Sequence, residues 1–240
     1  MKIIPLSYQD AARKKNIFIP LFKEDVLARQ EIFLRLPASV KTAVAKLAKE
    51  EFRAEEGETK SVWFPSGTIR RVRLFGLGER SKWNTRRTQV LGRSFVRYAK
   101  GERIDEFAAP LFPFQTKSGM AVPDLVWNAQ ETARILAMNA LMANFEFNQY
   151  RQKPKDGWPE VKTLYLAGDK KDLVDMKTGV DAGTIIGEEV NACRSLANTP
   201  GSDMTPTLLA KAARDASAKK KIRIRVMEER EMKRLHMGGI

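Results

Sequence analysis

Arg86, Arg93, Arg97 and Lys100 recur at steps of seven, four and three. At about 100° per residue they share one side of a helix, with Leu91, Phe95, Tyr98 and Ala99 on the other. The chemistry open to such a side is electrostatic contact with the phosphates of a nucleic acid, for which arginine's forked donors are suited. The plainer alternative is a solubilising face on a sheet-packed helix. Trp83 and Tyr98 could stack on bases, although aromatics in such positions more often belong to a core. Gly76 and Gly78 follow a strand-like run as in a phosphate loop, but the dinucleotide pattern needs a third glycine where Ser81 stands. A tight strand exit is the plain expectation there. Glu50, Glu51, Glu55, Glu56 and Glu58 read as a solvated helix end and loop rather than a metal site. Asp169, Asp172 and Asp175, interrupted by lysines and without a histidine, read as a solvated turn. His236, the sole histidine, lacks ligands at metal-binding spacing. Cys193 lies on an expected apolar seam with no base to activate it, which predicts an inert buried thiol.

These residues need elements to position them. Lys2–Leu6 and Asn16–Phe22 read as strands, Ala38–Phe52 as an amphipathic helix, and Ser61–Pro65 with Ile69–Leu77 as a strand pair around Ser66-Gly67. Thr85–Lys100 is the basic helix. Arg103–Phe114 returns to the sheet, Asp124–Phe147 is a long helix with small residues on its inner face, and Val161–Ala167 is a further strand. A domain boundary is expected near Met176–Gly179. Beyond it, Ile186, Val190, Cys193 and Ala197 form the apolar seam of a helix that Asn198, Pro200 and Gly201 end. Thr205-Pro206 restarts a helix, with a hydroxyl cap and a proline where no donor is lost. Leu208, Leu209, Ala212, Ala213 and Ala216 give that helix a buried stripe, and Lys219–Lys221 close it. Ile222, Ile224 and Val226 alternate with arginines as in a half-exposed strand, and Glu228–Leu235 is a short helix ended by Gly238-Gly239. The alternation of strands and helices predicts an α/β domain with a mixed sheet.

The chain has 240 residues, is 43% hydrophobic and carries a net charge of +14. That is enough for one large domain, or one domain plus a further piece. Between Thr68 and Arg103 eleven basic residues face two acidic ones, so much of the excess is local and favours polyanionic partners. One cysteine excludes a disulfide framework and suits a reducing cytosol. The N-terminus has no signal-like apolar stretch, and the run Ile135–Phe145 is too short to span a bilayer. A soluble cytoplasmic protein with no membrane partner is expected.

The run GEEVNACRSLANTPGSDMTPTLLAKAA, from Gly187, resembles the junction segment of the leucine aminopeptidase (cytosol aminopeptidase) family. MEEREMKRLHMGGI at the C-terminus is similar to that family's acidic helix ending in a Met-Gly turn. VRLFGLGE (Val72–Glu79) and FEFNQYRQKP (Phe145–Pro154) resemble segments of its N-terminal domain. The resemblance implies a macro-domain-like N-terminal domain over residues 1–178. Residues 179–240 would be a linker helix and the incomplete start of an α/β peptidase domain. It further implies a cytosolic homo-hexamer that removes N-terminal amino acids from peptides with two divalent metal ions, zinc or manganese. The family's metal ligands, catalytic lysine and arginine lie beyond the position of Ile240. Its Asn-Thr-Asp-Ala-Glu-Gly-Arg motif is matched neither at Asn84-Thr85, followed by arginine, nor at Asn198-Thr199, followed by proline. No catalytic, cofactor or metal residue is therefore carried over, the missing catalytic domain is the expected partner, and this segment alone is expected to be inactive. The alternative is a basic module that binds DNA through Arg86, Arg93, Arg97 and Lys100, as some bacterial members do. Nucleotide or ADP-ribose binding is a fold analogy that no loop sequence supports.

Overall fold

The structure, a computed structural model, describes residues 1–111, 128–218 and 222–238. By internal contacts the chain divides into two compact units, Met1–Asn191 and Ala192–Ile240.

The first unit is built on β1 (Lys2–Ser7), β2 (Asn16–Leu21), β3 (Thr59–Trp63), β4 (Arg71–Gly76), β5 (Glu106–Pro110) and β6 (Thr163–Gly168). They form one sheet in the order β1-β6-β5-β2-β4-β3. Every pairing is parallel except β3 against β4, so the sheet is mixed, as expected. The antiparallel pair turns at Ser66-Gly67, where Gly67 has φ +89 and a side chain would be strained. Short helices α1 (Tyr8–Ala11) and α2 (Glu31–Leu34) and the longer α3 (Ala38–Glu51) precede β3. Next come α4 (Thr85–Gly101) between β4 and β5, α5 (Ala129–Asn144) between β5 and β6, and α6 (Leu173–Asn198) after β6.

The central strands are buried on both faces, which is why they read as nearly continuous apolar runs. Their alternation still sorts residues between two cores. Phe18, Phe75, Phe107 and Leu164 share one core with α4, α5 and the first half of α6. Ile17, Ile19, Val72 and Leu74 share the other with α1, α2 and α3. In the first, Phe18 stacks on Phe107 at 4.4 Å and meets Phe75 at 5.2 Å and Phe95 at 5.9 Å. Such ring pairs add roughly 0.5–1.5 kcal/mol each beyond their buried area.

Helix α6 differs from the sequence expectation. The stretch Met176–Gly179 lies inside it, with Met176 and Gly179 buried. Its buried face carries Gly179, Gly183 and Gly187, while Ile185 and Ile186 are exposed. The expected seam of Ile186, Val190, Cys193 and Ala197 is therefore not the buried face. The reason is the approach of α5. A Cβ at Gly179 would lie 2.0 Å from the Gln130 carbonyl oxygen, and one at Gly183 would lie 2.3 Å from that of Arg134. Only glycine lets two helices touch backbone to backbone at such distances.

The second unit holds the end of α6, α7 (Pro206–Ala218) and α8 (Glu229–Arg234). The helix break falls where expected: α6 ends at Asn198, and Pro200 O accepts from the N–H groups of Asp203 and Met204. Pro206 opens α7, and Thr205 Oγ1 accepts from Leu208 N–H at 3.4 Å. Two expectations are corrected. Leu208 and Leu209 are exposed, so the apolar stripe of α7 is not a buried one. Residues 222–228 form no strand, since no neighbouring strand among the described residues of this unit pairs with them. The helix end at Lys219–Lys221, the stretches 112–114 and 124–127, and the terminal Gly239 fall outside the described residues.

Candidate functional site

Helix α4 begins at Asn84, whose side-chain oxygen accepts from Arg87 N–H at 3.0 Å. Of its apolar stripe, Leu91, Phe95 and Ala99 are buried against the sheet as the periodicity predicts, while Tyr98 is half-buried. The buried arc is wider than that stripe, because α5 covers a second flank. Gly92 and Val96 are buried there, and a Cβ at Gly92 would sit 3.4 Å from Asn139 Cβ.

This second contact splits the four cations. Arg86 and Arg97 are exposed. Arg93 is half-buried and donates from Nε to Asn139 Oδ1 at 2.8 Å; Asn139 is itself fully buried and donates to Ile135 O at 2.9 Å. Lys100 is 8% exposed, donates to the Glu146 carboxylate and has Asn144 O at 3.5 Å. Two of the four are thus committed to contacts within the fold. The missing signals were Asn139 and Glu146, both far along the chain.

The opposite flank of α4 faces β3 and β4 across a cleft of about 590 Å³. Phe75, Leu77, Trp83, Leu91 and Tyr98 give it apolar and aromatic walls. Its charged lining is Arg73, Arg86, Arg87 and Glu56. Arg73 lies over the Tyr98 ring, 3.4 Å from the centroid, and donates to Ser61 Oγ at 2.9 Å and to Thr59 Oγ1. Its Nε is buried without a partner, and no ion pair joins Arg73 to a carboxylate among the described residues. Burial pulls its guanidinium below the usual arginine range. Arg87 pairs through Nη2 with Glu56 at 2.9 Å, while its Nη1 is buried without a partner. Beside them Arg71, 3% exposed, lies 3.3 Å from the Trp63 ring centroid, donates to the Tyr98 hydroxyl at 2.9 Å and has Glu102 at 3.5 Å. Sequence reasoning missed Arg73 and Arg87 as a pair. The alternation of β4 was the signal, since it aims residues 71, 73 and 75 at one face.

The remaining candidates are placed as follows. Gly76 and Gly78 let the loop at 54–58 close on the end of β4: a Cβ at Gly76 would lie 2.0 Å from Glu55 O, and Gly78 N–H donates to Ala54 O at 2.9 Å. The glutamates are paired separately, Glu51 with Lys60, Glu55 with Lys23 and Glu56 with Arg87. Glu58 accepts from the N–H groups of Arg53 and Glu55. Asp169 and Asp172 flank a tight turn into α6. Burial first, then their charges and that of Glu31, raise the Tyr8 hydroxyl far above its ordinary value. His236 is exposed, and Cys193 is an exposed free thiol, not the buried one expected. Among the described residues no three His, Cys, Asp or Glu side chains gather where they could hold a metal ion, so the metal ions implied by the resemblance have no fitting ligand set there. No helix of the described residues is long and apolar enough to cross a membrane.

The mixed, mostly parallel sheet lies between helical layers and carries an arginine-lined cleft. Residues 18–154 match the N-terminal domain of the cytosol aminopeptidase family, and the chain belongs to that family. It is 31% identical over 206 residues to a probable cytosol aminopeptidase of Acidobacterium capsulatum, covering 85% of this chain and 38% of that protein. It is 25% identical over 234 residues to one of Bacillus subtilis, covering 97% of this chain and 45% of that protein. The chain thus spans less than half the length of these relatives. A mutant of tomato leucine aminopeptidase has the same fold, with a TM-score of 0.75 at 19% identity over 98% of this chain and 46% of that one. A bottromycin maturation enzyme in complex with manganese has a TM-score of 0.65 at 16% identity, covering 92% of this chain and 40% of that one.

Proposed function

We infer that this chain serves as the N-terminal part of a metallo-aminopeptidase that removes amino acids from the N-termini of peptides. The observation that carries this reading is the family match over residues 18–154, the segment that runs from β2 through α5. In this reading α6, seated on α5 through its glycines, is the helix that connects the sheet domain to the peptidase domain. The family resemblance of the junction segment supports a cytoplasmic homo-hexamer with zinc or manganese as its metals. Because no described residues fit those metals, no step of hydrolysis is assigned to a residue of this chain. Its own part is to fold as a scaffold and to carry the junction.

Incubating the purified 240-residue chain with a leucyl amide and added zinc or manganese tests the reading. No release of leucine is expected, and metal-dependent release would overturn it. The intact mass of the native product in its own cells, set against 27.2 kDa, gives an independent check. A much heavier product bearing this sequence at its N-terminal side is expected.

A further inference from the structure

The cleft between α4 and the β3–β4 edge has an electrostatic arrangement that the fold alone does not require. The N-terminus of a helix is its positive end, where acidic residues are stabilising and cations are not. The first turn of α4 carries no acidic residue; it carries Arg86 and Arg87. Both line the cleft, and Arg73 faces them from β4. Three arginines and a helix N-terminus thus meet one carboxylate, Glu56, which is engaged with a single nitrogen of Arg87. Arg73 Nε and Arg87 Nη1 are buried without a partner, so both guanidinium groups are held against the fold and only their remaining nitrogens are open to the cleft. Removing a cation from water without a counter-charge is unfavourable, and such departures from local electrostatic rules concentrate at functional sites.

The rest of the cleft suits an anion attached to a flat apolar body. Trp83, Phe75 and Tyr98 line it with aromatic side chains, the Tyr98 ring lying under Arg73, and Leu77 and Leu91 add apolar ones. The volume, about 590 Å³, lies in the range of small-molecule sites. Phosphate is the anion that matches several arginines beside a helix N-terminus, because it offers three acceptor oxygens to converging donors.

We propose that this cleft binds a small aromatic phosphate monoester, with its phosphate held by Arg73, Arg86, Arg87 and the α4 N-terminus, and its ring against Trp83 and Tyr98. Two sources share this chemistry, a nucleotide and a simple aryl phosphate, and the test separates them.

The 240-residue chain is titrated calorimetrically with AMP, phenyl phosphate, adenosine, phenol and inorganic phosphate. At least one of the two esters binds more than about tenfold tighter than its dephosphorylated form and than phosphate alone, with affinity falling as salt rises. AMP ahead of phenyl phosphate assigns a nucleotide, and the reverse assigns a simple aryl ester. Two variants locate the site. Arg86→Ala combined with Arg87→Ala removes cations from a positive helix end, so the free protein melts no lower than the parent while ester binding weakens at least about tenfold. Ser94→Trp fills the cleft from α4 and abolishes binding. The proposal is overturned if neither ester saturates, if adenosine or phenol binds as tightly as its ester, or if binding survives both variants.

Discussion

Replacing Gly179 by alanine sets two effects of opposite sign against each other. In the interior of a helix alanine is more favourable than glycine by about 1 kcal/mol, so propensity alone predicts a gain. The new Cβ, however, would stand 2.0 Å from the Gln130 carbonyl oxygen and 3.1 Å from Ala133 Cβ. The close atom is backbone and cannot swing aside, so α6 must move off α5 by roughly 1 Å. A gap of that size forfeits about a quarter to a half of each dispersion contact along the seam. Overpacking of this kind costs about 1–3 kcal/mol or more, and here it exceeds the propensity gain. The expected net loss is about 2 kcal/mol, which for a chain of this size lowers Tm by about 4–8 °C. Gly183→Ala, at 2.3 Å from Arg134 O, behaves alike. Gly187→Ala, whose nearest atom is Leu141 Cβ at 2.9 Å, lies near neutral. Gly101→Ala, with nothing within 4 Å, leaves Tm unchanged or raises it. Thermal unfolding followed by circular dichroism measures all four. Gly179→Ala and Gly183→Ala melting at or above the parent would refute the backbone-to-backbone seam.

Glu146→Ala strands the buried Lys100 ammonium and is expected to cost about 1 kcal/mol, a figure held down by the partial exposure of Glu146. The same change made on a Lys100→Met background should cost almost nothing by urea unfolding; equal losses in both backgrounds would show that the pair is not coupled. Tyr8 ionises later in the folded chain than its ordinary value of 10.0, because burial and then Asp169 and Glu31 oppose the phenolate. Its stability contribution is therefore complete below pH 10 and is lost above it, where the unfolded chain ionises first. Tyr8→Phe should flatten the alkaline fall in stability, and parallel falls in parent and variant would count against this. Cys193 should react with a thiol reagent in the folded state within about tenfold of the rate in denaturant, since it is exposed; strong protection would contradict its placement.

Much of the sheet unit was legible because strands and helices with apolar stripes announce themselves by period. β1, β2, α3, the β3–β4 pair, α4 and β6 all stand within a few residues of their expected spans. The junction was legible too, since Asn198, Pro200 and Pro206 constrain the backbone wherever they occur. Position on α4 likewise followed from the 3.6-residue repeat, but the four cations do not share one exposed ridge: Arg86 lines the cleft, while Arg93 and Lys100 are tied to Asn139 and Glu146.

What each side faces was not in the repeat. Arg93 and Lys100 find their partners Asn139 and Glu146 46 residues away, a pairing that exists only once α5 lies on α4. The α6 error has the same origin in another form. Hydropathy marks a buried face by its side chains, but the α5–α6 contact is made largely by backbone, so beyond Met176 and Val180 its buried residues are glycines, and Ile185 and Ile186 are exposed. The cleft, too, gathers Arg73 from β4, Arg86 and Arg87 from α4, and Glu56 from the loop after α3. Local sequence determined the family and most of the elements, because backbone preference and periodicity act over a few residues. Tertiary structure alone decided which cations are neutralised and which are left facing the cleft, because neutralisation depends on distances between segments that the chain brings together only on folding.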